Sequence, residues 1–214
     1  MDPSWIRGAS VIAFAYFLGS VPFGILVARL IDQSVDLRET GSGNIGATNV
    51  ARAVGKAGGI LTLLLDVGKG IFAMSLANIV VEARVDLWLA LAGAAVFLGH
   101  VFPVYMNFRG GKGVATSLGI VLFLSPVTAF LLVVLFSLVV YFTRYVSLGS
   151  LCAALALPPV MALLATSRHY VTLSLVLTFL VIYTHRENIR RLLSGQEKKF
   201  GAPETESAGK DSPP

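Results

Sequence analysis

"GVATSLGIVLFLSPVTAFLLVVLFSLVVYFT", residues 113–143, contains no charged residue. It lies between Lys112 and Arg144. As one helix it would be about 46 Å long at 1.5 Å per residue. A bilayer crossing needs only roughly 20 residues. The stretch is therefore either one long tilted helix or two helices in a hairpin. Ser125-Pro126 stands near its middle, and proline, lacking an N–H, often opens a new helix after a break. The choice decides which face of a membrane every later loop occupies.

The rest of the chain supports the membrane setting. Of 214 residues, 55% are hydrophobic and 14% charged, and mean hydropathy is +0.77. A soluble domain carries roughly a quarter charged residues. Apolar segments run over about 6–30, 57–81, 86–107, 113–143, 147–166 and 169–185. The first is longer than a typical signal-peptide core and lacks a small-x-small cleavage site, so no cleavable signal is expected. The single cysteine, Cys152, lies in an apolar run and reads as a small buried hydrophobe.

The basic residues choose between the two arrangements. With a hairpin at 113–124 and 126–143 there are seven crossings. One face then receives Arg29, Arg38, Arg52, Lys56, Arg109, Lys112, Arg144, Arg186, Arg190, Arg191, Lys198, Lys199 and Lys210, thirteen of the seventeen. The other keeps Arg7, Arg84 and Arg168, with Lys69 inside a helix. A single crossing would put Arg144 and the basic tail on opposite faces. The positive-inside rule therefore predicts an all-α protein of about seven transmembrane helices, with its N-terminus outside and its C-terminus cytoplasmic. The 113–124 helix, about 18 Å long, is too short to span alone and needs protection by its neighbours. Residues 1–197 form one membrane domain in this reading. The polar tail 198–214, rich in Gly, Pro and Ser, reads as disordered.

In that topology four polar loops share the cytoplasmic face. The first, "ETGSGNIGATNVAR" at 39–52, satisfies the dinucleotide pattern G-x-G-x-x-G, and Asp66 follows at the customary distance. No hydrophobic strand precedes it, and Asp66 falls within a membrane helix, three residues before Lys69. That excludes a βαβ nucleotide fold and leaves an intramembrane ion pair, either structural or orienting a site. The loop still carries close-packing glycines, hydrogen-bonding side chains and one strong cation, Arg52. The second, "FRGGKGVATS" at 108–117, resembles a Walker A loop but lacks its first glycine and the Ser or Thr after the lysine. Its glycines, the following helix N-terminus, Arg109 and Lys112 suit a phosphate. The plainer reading is a basic loop that only sets topology. In the last loop, "THRENIRRL" at 184–192, His185 and Asn188 share a helix face, and Glu187 and Arg191 are spaced to pair on another. His100 ends the third crossing. No histidines have zinc-ligand spacing, and no His is followed five residues later by Asp. This argues against the His/Asp acyltransferases that use thioester donors. Neither a metal, a cofactor nor a nucleic-acid partner is expected.

Together, "GSGNIGATNVAR" with "DVGKG", "GHVFPVYMNFRGGKGVATSLG", "RYVSLGS" and "HRENIRRLLSGQE" closely resemble the motifs of the bacterial acyl-phosphate:glycerol-3-phosphate acyltransferase (PlsY) family. "FLGSVPFG" in the first helix fits as well, and the resemblance covers the chain to about Glu197. It implies transfer of an acyl group from acyl phosphate to the 1-hydroxyl of sn-glycerol 3-phosphate, giving lysophosphatidic acid and phosphate in the bacterial inner membrane. It also implies a functional link to the transacylase that makes acyl phosphate. Carried onto this chain, the catalytic shell is Ser42, Arg52, Lys112, His185 and Asn188, with His100 as a further member. Gly41, Gly43, Asn44, Gly46, Thr48, Asn49, Arg109, Gly110, Gly111, Gly113, Ser147 and Ser150 shape the substrate sites. The competing reading is a transporter of a phosphorylated metabolite, which would place its polar residues near the midplane instead of on one face.

Overall fold

The structure is a computed structural model that describes residues 3–165 and 167–201. Lys210 and the tail beyond Gly201, expected to be disordered, lie outside the described residues. Those residues are helical with no β-strand among them: α1 (Pro3–Gly19), α2 (Phe23–Ile31), α3 (Ala47–Val54), α4 (Lys56–Val80), α5 (Val85–Val101), a 3-10 turn (Val104–Met106), α6 (Val114–Leu124), α7 (Pro126–Thr143), α8 (Val146–Leu164), α9 (Arg168–Thr184) and α10 (Arg186–Leu193).

The apolar run at 113–143 is two helices. Ser125 ends α6 and caps α7: its hydroxyl accepts from Thr128 N at 3.4 Å and lies 2.7 Å from Thr128 Oγ1. Pro126 occupies the first turn of α7, where its missing N–H costs nothing. Five spans are long and apolar enough to cross a membrane: Ser4–Ile31, Lys56–Val80, Val85–Met106, Pro126–Thr143 and Val146–Leu164. α6 and α9 are shorter. Short α6 is sheltered by a close crossing with α4. A Cβ on Gly70 would strike the Thr116 carbonyl, and one on Gly119 the Val67 carbonyl. Such backbone approach is how small residues let membrane helices associate without a hydrophobic drive.

The first apolar segment, expected as one crossing over 6–30, is a single candidate span but not a single helix: it is broken at Ser20–Pro22 into α1 and α2. Pro22 supplies no N–H, and it disfavours helical backbone at Val21.

The core lies around α5, which packs against α1, α4 and α9. Ala92, Val96 and Phe97 are fully buried there, with Met74 of α4 and Ile120 of α6. The outer helices are apolar on their free faces too: Phe130, Leu131 and Leu138 of α7 are exposed. A lipid solvent explains that inversion, since no hydrophobic penalty follows from facing acyl chains. A small second core of Val27, Ala28, Leu37 and Val50 sits beneath the 39–46 loop.

Candidate active site

Asn49 builds the opening loop. It is buried in the first turn of α3. Its Oδ1 accepts from Ser42 N at 2.9 Å, and its Nδ2 donates to the Leu37 and Thr40 carbonyls, each at 3.0 Å. All its main hydrogen-bonding capacity is thus used within the loop. Gly41 and Gly43 have φ of 62° and 67°, the left-handed region that glycine enters without strain. A side chain on Gly41 would also strike the Asn49 amide. Gly46 caps α3 through its carbonyl, which accepts from Asn49 and Val50 N. The result is a tight loop with Ser42 exposed on its rim, Asn44 and Thr48 half-buried, and Arg52 one turn beyond Asn49, alongside Gly41.

The second loop rests on the end of α5. Gly110 N donates to the Val101 carbonyl at 3.0 Å and Gly111 N to the His100 carbonyl at 3.1 Å. These bonds satisfy carbonyls that a helix end leaves without partners. The same two N–H groups are therefore not free to face an anion. Glycine is required here for closeness: a Cβ on Gly111 would run into the His100 ring. Gly113, at φ 81°, turns the chain into α6, whose first N–H groups have no intrahelical acceptor.

His100 lies below this loop in a buried network. Lys69 Nζ is 2.7 Å from Asp66 Oδ1, 2.9 Å from His100 Nδ1 and 3.3 Å from the Val21 carbonyl, one of those freed by the α1–α2 break. Lysine can only donate, so Nδ1 accepts and the His100 proton sits on Nε2, under Gly111. The Asp66–Lys69 pair thus ties the broken first helix to the floor of the glycine loop.

The charged centre lies above. Lys112 Nζ donates to Asn188 Oδ1 at 2.5 Å, Asn188 Nδ2 to Glu197 Oε1 at 2.6 Å, and Arg191 Nε to Glu197 Oε2 at 2.7 Å. Thr184 Oγ1 lies 2.9 Å from the Val181 carbonyl and 3.2 Å from the Lys112 carbonyl, so its one proton is shared between the end of α9 and the loop. Ser147, buried in the first turn of α8, faces Glu197 from the third loop, its hydroxyl making no hydrogen bond of normal geometry. Ser150 turns its hydroxyl back to the Val146 carbonyl at 2.9 Å. The segment holding Glu197 is pinned in turn to the α7–α8 turn. Phe200 N donates to the Arg144 carbonyl at 2.7 Å, and the Arg144 guanidinium to the Phe200 carbonyl at 3.1 Å.

Burial pushes the Lys112 ammonium down to about 8; the Arg191 and Arg52 guanidiniums add to that shift, and the Glu197 and Glu187 carboxylates oppose it. Arg52 thus acts on the same space as Lys112, joining the first loop to the second and fourth. Burial also pushes His185 down to about 4, with the Lys112 charge adding to the effect and the Val181 carbonyl and Glu197 opposing it. His185 is neutral at pH 7. Its Nδ1 is 2.8 Å from the Val181 carbonyl, which can only accept, so Nδ1 carries the proton and Nε2 presents a lone pair. Burial raises the Glu197 carboxyl, but Ser147, Arg191 and Asn188 outweigh it and keep the group below its usual range.

The structure thus brings Arg52, Lys112, His185, Asn188 and Ser147 to one locality and leaves other expected members apart. His100 is beneath the loop. Arg109 points into a separate groove with Arg29 and Arg38. The pairing expected between Glu187 and Arg191 is replaced: Glu187 is exposed and Arg191 binds Glu197. Glu197 itself was not among the expected site residues. Its signal was faint, a lone acid between Gly195 and the Lys198-Lys199 pair.

Comparison with known proteins completes the picture. A family model described as glycerol-3-phosphate acyltransferase matches residues 9–195. Glycerol-3-phosphate acyltransferases of Geobacter sulfurreducens and Aquifex aeolicus are 48% and 42% identical to this chain. The first alignment covers 89% of this chain and 96% of the relative, the second 91% and 100%. Crystal structures of PlsY, an integral membrane glycerol 3-phosphate acyltransferase, superpose with TM-scores of 0.84 in a glycerol 3-phosphate form and 0.82 in a lysophosphatidic acid form. Their identities are 41% and 40%; each match covers 91% of this chain, and 96% and 95% of the PlsY chains. The chain belongs to the glycerol-3-phosphate acyltransferase family.

Proposed function

We propose that this protein transfers a fatty acyl group from acyl phosphate to the 1-hydroxyl of sn-glycerol 3-phosphate. The products are 1-acyl-sn-glycerol 3-phosphate and inorganic phosphate, and the reaction is the first step of bacterial phospholipid synthesis. The observation that carries this reading is the Lys112–Asn188–Glu197–Arg191 chain, faced by Arg52 and flanked by a neutral His185. It is a cationic centre for two phosphates with a proton acceptor beside it.

Acyl phosphate is a mixed anhydride and already activated, so no covalent enzyme nucleophile is required. The glycerol oxygen attacks the acyl carbon, an ester C–O bond forms, and the bond from that carbon to the phosphate oxygen breaks. The hydroxyl proton passes to His185 Nε2 or to the departing phosphate. Lys112 and Arg52 hold phosphate oxygens and offset the charge that develops on the leaving group. Asn188 aligns Lys112, and Glu197 with Arg191 fixes Asn188. Ser42, on the rim of the first loop, donates to the reacting acyl phosphate. Asn49 acts by shaping that loop, and Ser147 and Ser150 close the wall formed by α8.

The topology belongs to the same proposal. The α1–α2 pair, α4, α5, α6, α7, α8 and α9 make seven crossings or part-crossings. The N-terminus is outside, the four loops lie at the cytoplasmic face of the inner membrane, and residues 1–197 form the working domain. An upstream transacylase that makes acyl phosphate supplies the donor.

The test is an assay of purified enzyme with palmitoyl phosphate and glycerol 3-phosphate. Phosphate release should match ester formation, and Lys112→Ala and His185→Ala should each lose most of the turnover. Turnover with acyl-CoA alone, and none with acyl phosphate, refutes the donor. Glycerol 3-phosphate uptake into proteoliposomes without product would instead support transport.

A further inference from the structure

The sequence groups Arg109 with Lys112, but the structure separates them. Arg109 lines a groove of about 630 Å³ together with Arg29, from the last turn of α2, and Arg38, from the first loop. The Arg38 guanidinium donates to the Arg109 carbonyl at 2.6 Å, tying the two loops across the groove. Asn107 and Phe108, both with positive φ, turn the chain just before Arg109. None of the proposed catalytic side chains lines this groove.

Two features of the groove define its ligand. First, it collects three guanidiniums, and among the described residues none of them has a carboxylate at ion-pair distance. Three like charges around one space repel one another, and a bound anion relieves that repulsion. Second, apart from Asn107 and the Tyr105 hydroxyl, the remaining wall is apolar. Leu26 is 50% exposed and Tyr105 59% exposed, and neighbouring Leu30 and Phe108 are also exposed. A free phosphate would use the arginines and leave that wall in water. An amphiphile with a phosphate head and acyl chains would use both. Arginine and tyrosine are also the residues that settle where headgroups meet hydrocarbon.

We infer that this groove binds the phosphate headgroup of an anionic phospholipid from the surrounding bilayer, with its acyl chains along Leu26 and Tyr105. The bound lipid would brace the junction of α2 with the first and second loops, away from the reacting groups. Each basic residue near an anionic lipid surface contributes about fivefold in binding, so removing two costs roughly thirtyfold.

The experiment uses the delipidated full chain in neutral detergent, with native mass spectrometry as the readout. An equimolar mixture of phosphatidylglycerol and phosphatidylcholine is offered. The wild type should retain phosphatidylglycerol at least tenfold over phosphatidylcholine. Arg29→Gln should reduce that preference about fivefold and Arg29→Gln/Arg38→Gln should abolish it, while Arg29→Lys/Arg38→Lys keeps most of it. Acyl transfer in detergent should stay within about twofold for Arg29→Gln, which lies outside the proposed catalytic centre. Equal retention of the two lipids by wild type overturns the inference. So does an undiminished preference in both Gln variants, or complete displacement by millimolar inorganic phosphate, which would mark a free-phosphate site. Among the described residues Arg29 has no carboxylate at ion-pair distance, so its Gln variant tests charge even if the double variant fails to fold.

Discussion

The lowered Lys112 pKa predicts a pH profile. With a value of about 8, the ammonium is about nine-tenths protonated at pH 7 and about one-tenth at pH 9. If only the charged form holds phosphate, kcat/KM falls about tenfold across that interval. An ordinary lysine would lose only a few per cent. A bound phosphate favours the ammonium, so the limb in kcat, which reports the complex, should lie at higher pH than the limb in kcat/KM. The assay is initial-rate phosphate release from pH 6.5 to 9.5 in one detergent, with palmitoyl phosphate stability controlled without enzyme. Lys112→Arg removes the titration and should flatten the alkaline limb at a lower plateau. A flat wild-type profile from pH 7 to 9, or the same limb in Lys112→Arg, would refute the assignment.

The same shift has a thermodynamic consequence. The folded-state pKa lies below the unfolded one, so between about 8 and 10.5 the unfolded chain binds more protons, and stability rises with pH through that window. At pH 7 the whole penalty is present, roughly 3 kcal/mol. Losing the charged bond to Asn188 offsets about 2 kcal/mol of it. Lys112→Met should therefore be inactive yet unfold at or slightly above the wild-type temperature. A midpoint several degrees lower would show that the lysine is held for the fold.

Lys69→Met leaves buried Asp66 with only the His100 ring, 3.5 Å away, as a partner and should cost about 3 kcal/mol in thermal unfolding; adding Asp66→Asn should recover much of that. Glu197→Gln removes a carboxylate that raises the Lys112 pKa, so its alkaline kcat/KM limb should begin at lower pH than in wild type. Gly111→Ala forces a methyl into the His100 ring and should raise the KM for glycerol 3-phosphate, at a cost of about 1–3 kcal/mol. His100→Ala in the same chain should partly relieve that defect, measured as a double-mutant cycle on KM.

What the sequence disclosed follows how local each cause is. The break at Ser125-Pro126 is set by a proline and a capping serine within four residues, and both were legible. The break at Ser20–Pro22 has a similar local cause, but the run through it had the length of one crossing, so nothing demanded a second helix. The partnership of Lys112 with Asn188 spans 76 residues and depends on how α9 and α10 meet the second loop. Sequence could nominate both residues but not their contact. Arg109 shows the converse, since three residues from Lys112 it faces another groove, because the positive-φ turn at Asn107–Phe108 redirects the chain.

The glycine loop carries the sharpest lesson. "RGGKG" reads as a nest of N–H donors for phosphate, yet Gly110 and Gly111 donate to the last carbonyls of α5. Glycine spacing reveals where backbone must pack closely; it does not reveal which donors remain free. In the proposed mechanism, anion binding then falls to the charged side chains and to the first N–H groups of α6. Neutralising Lys112 or Arg52 should therefore cost more activity than a conservative change in the glycines, whose effect arises through the position of Lys112.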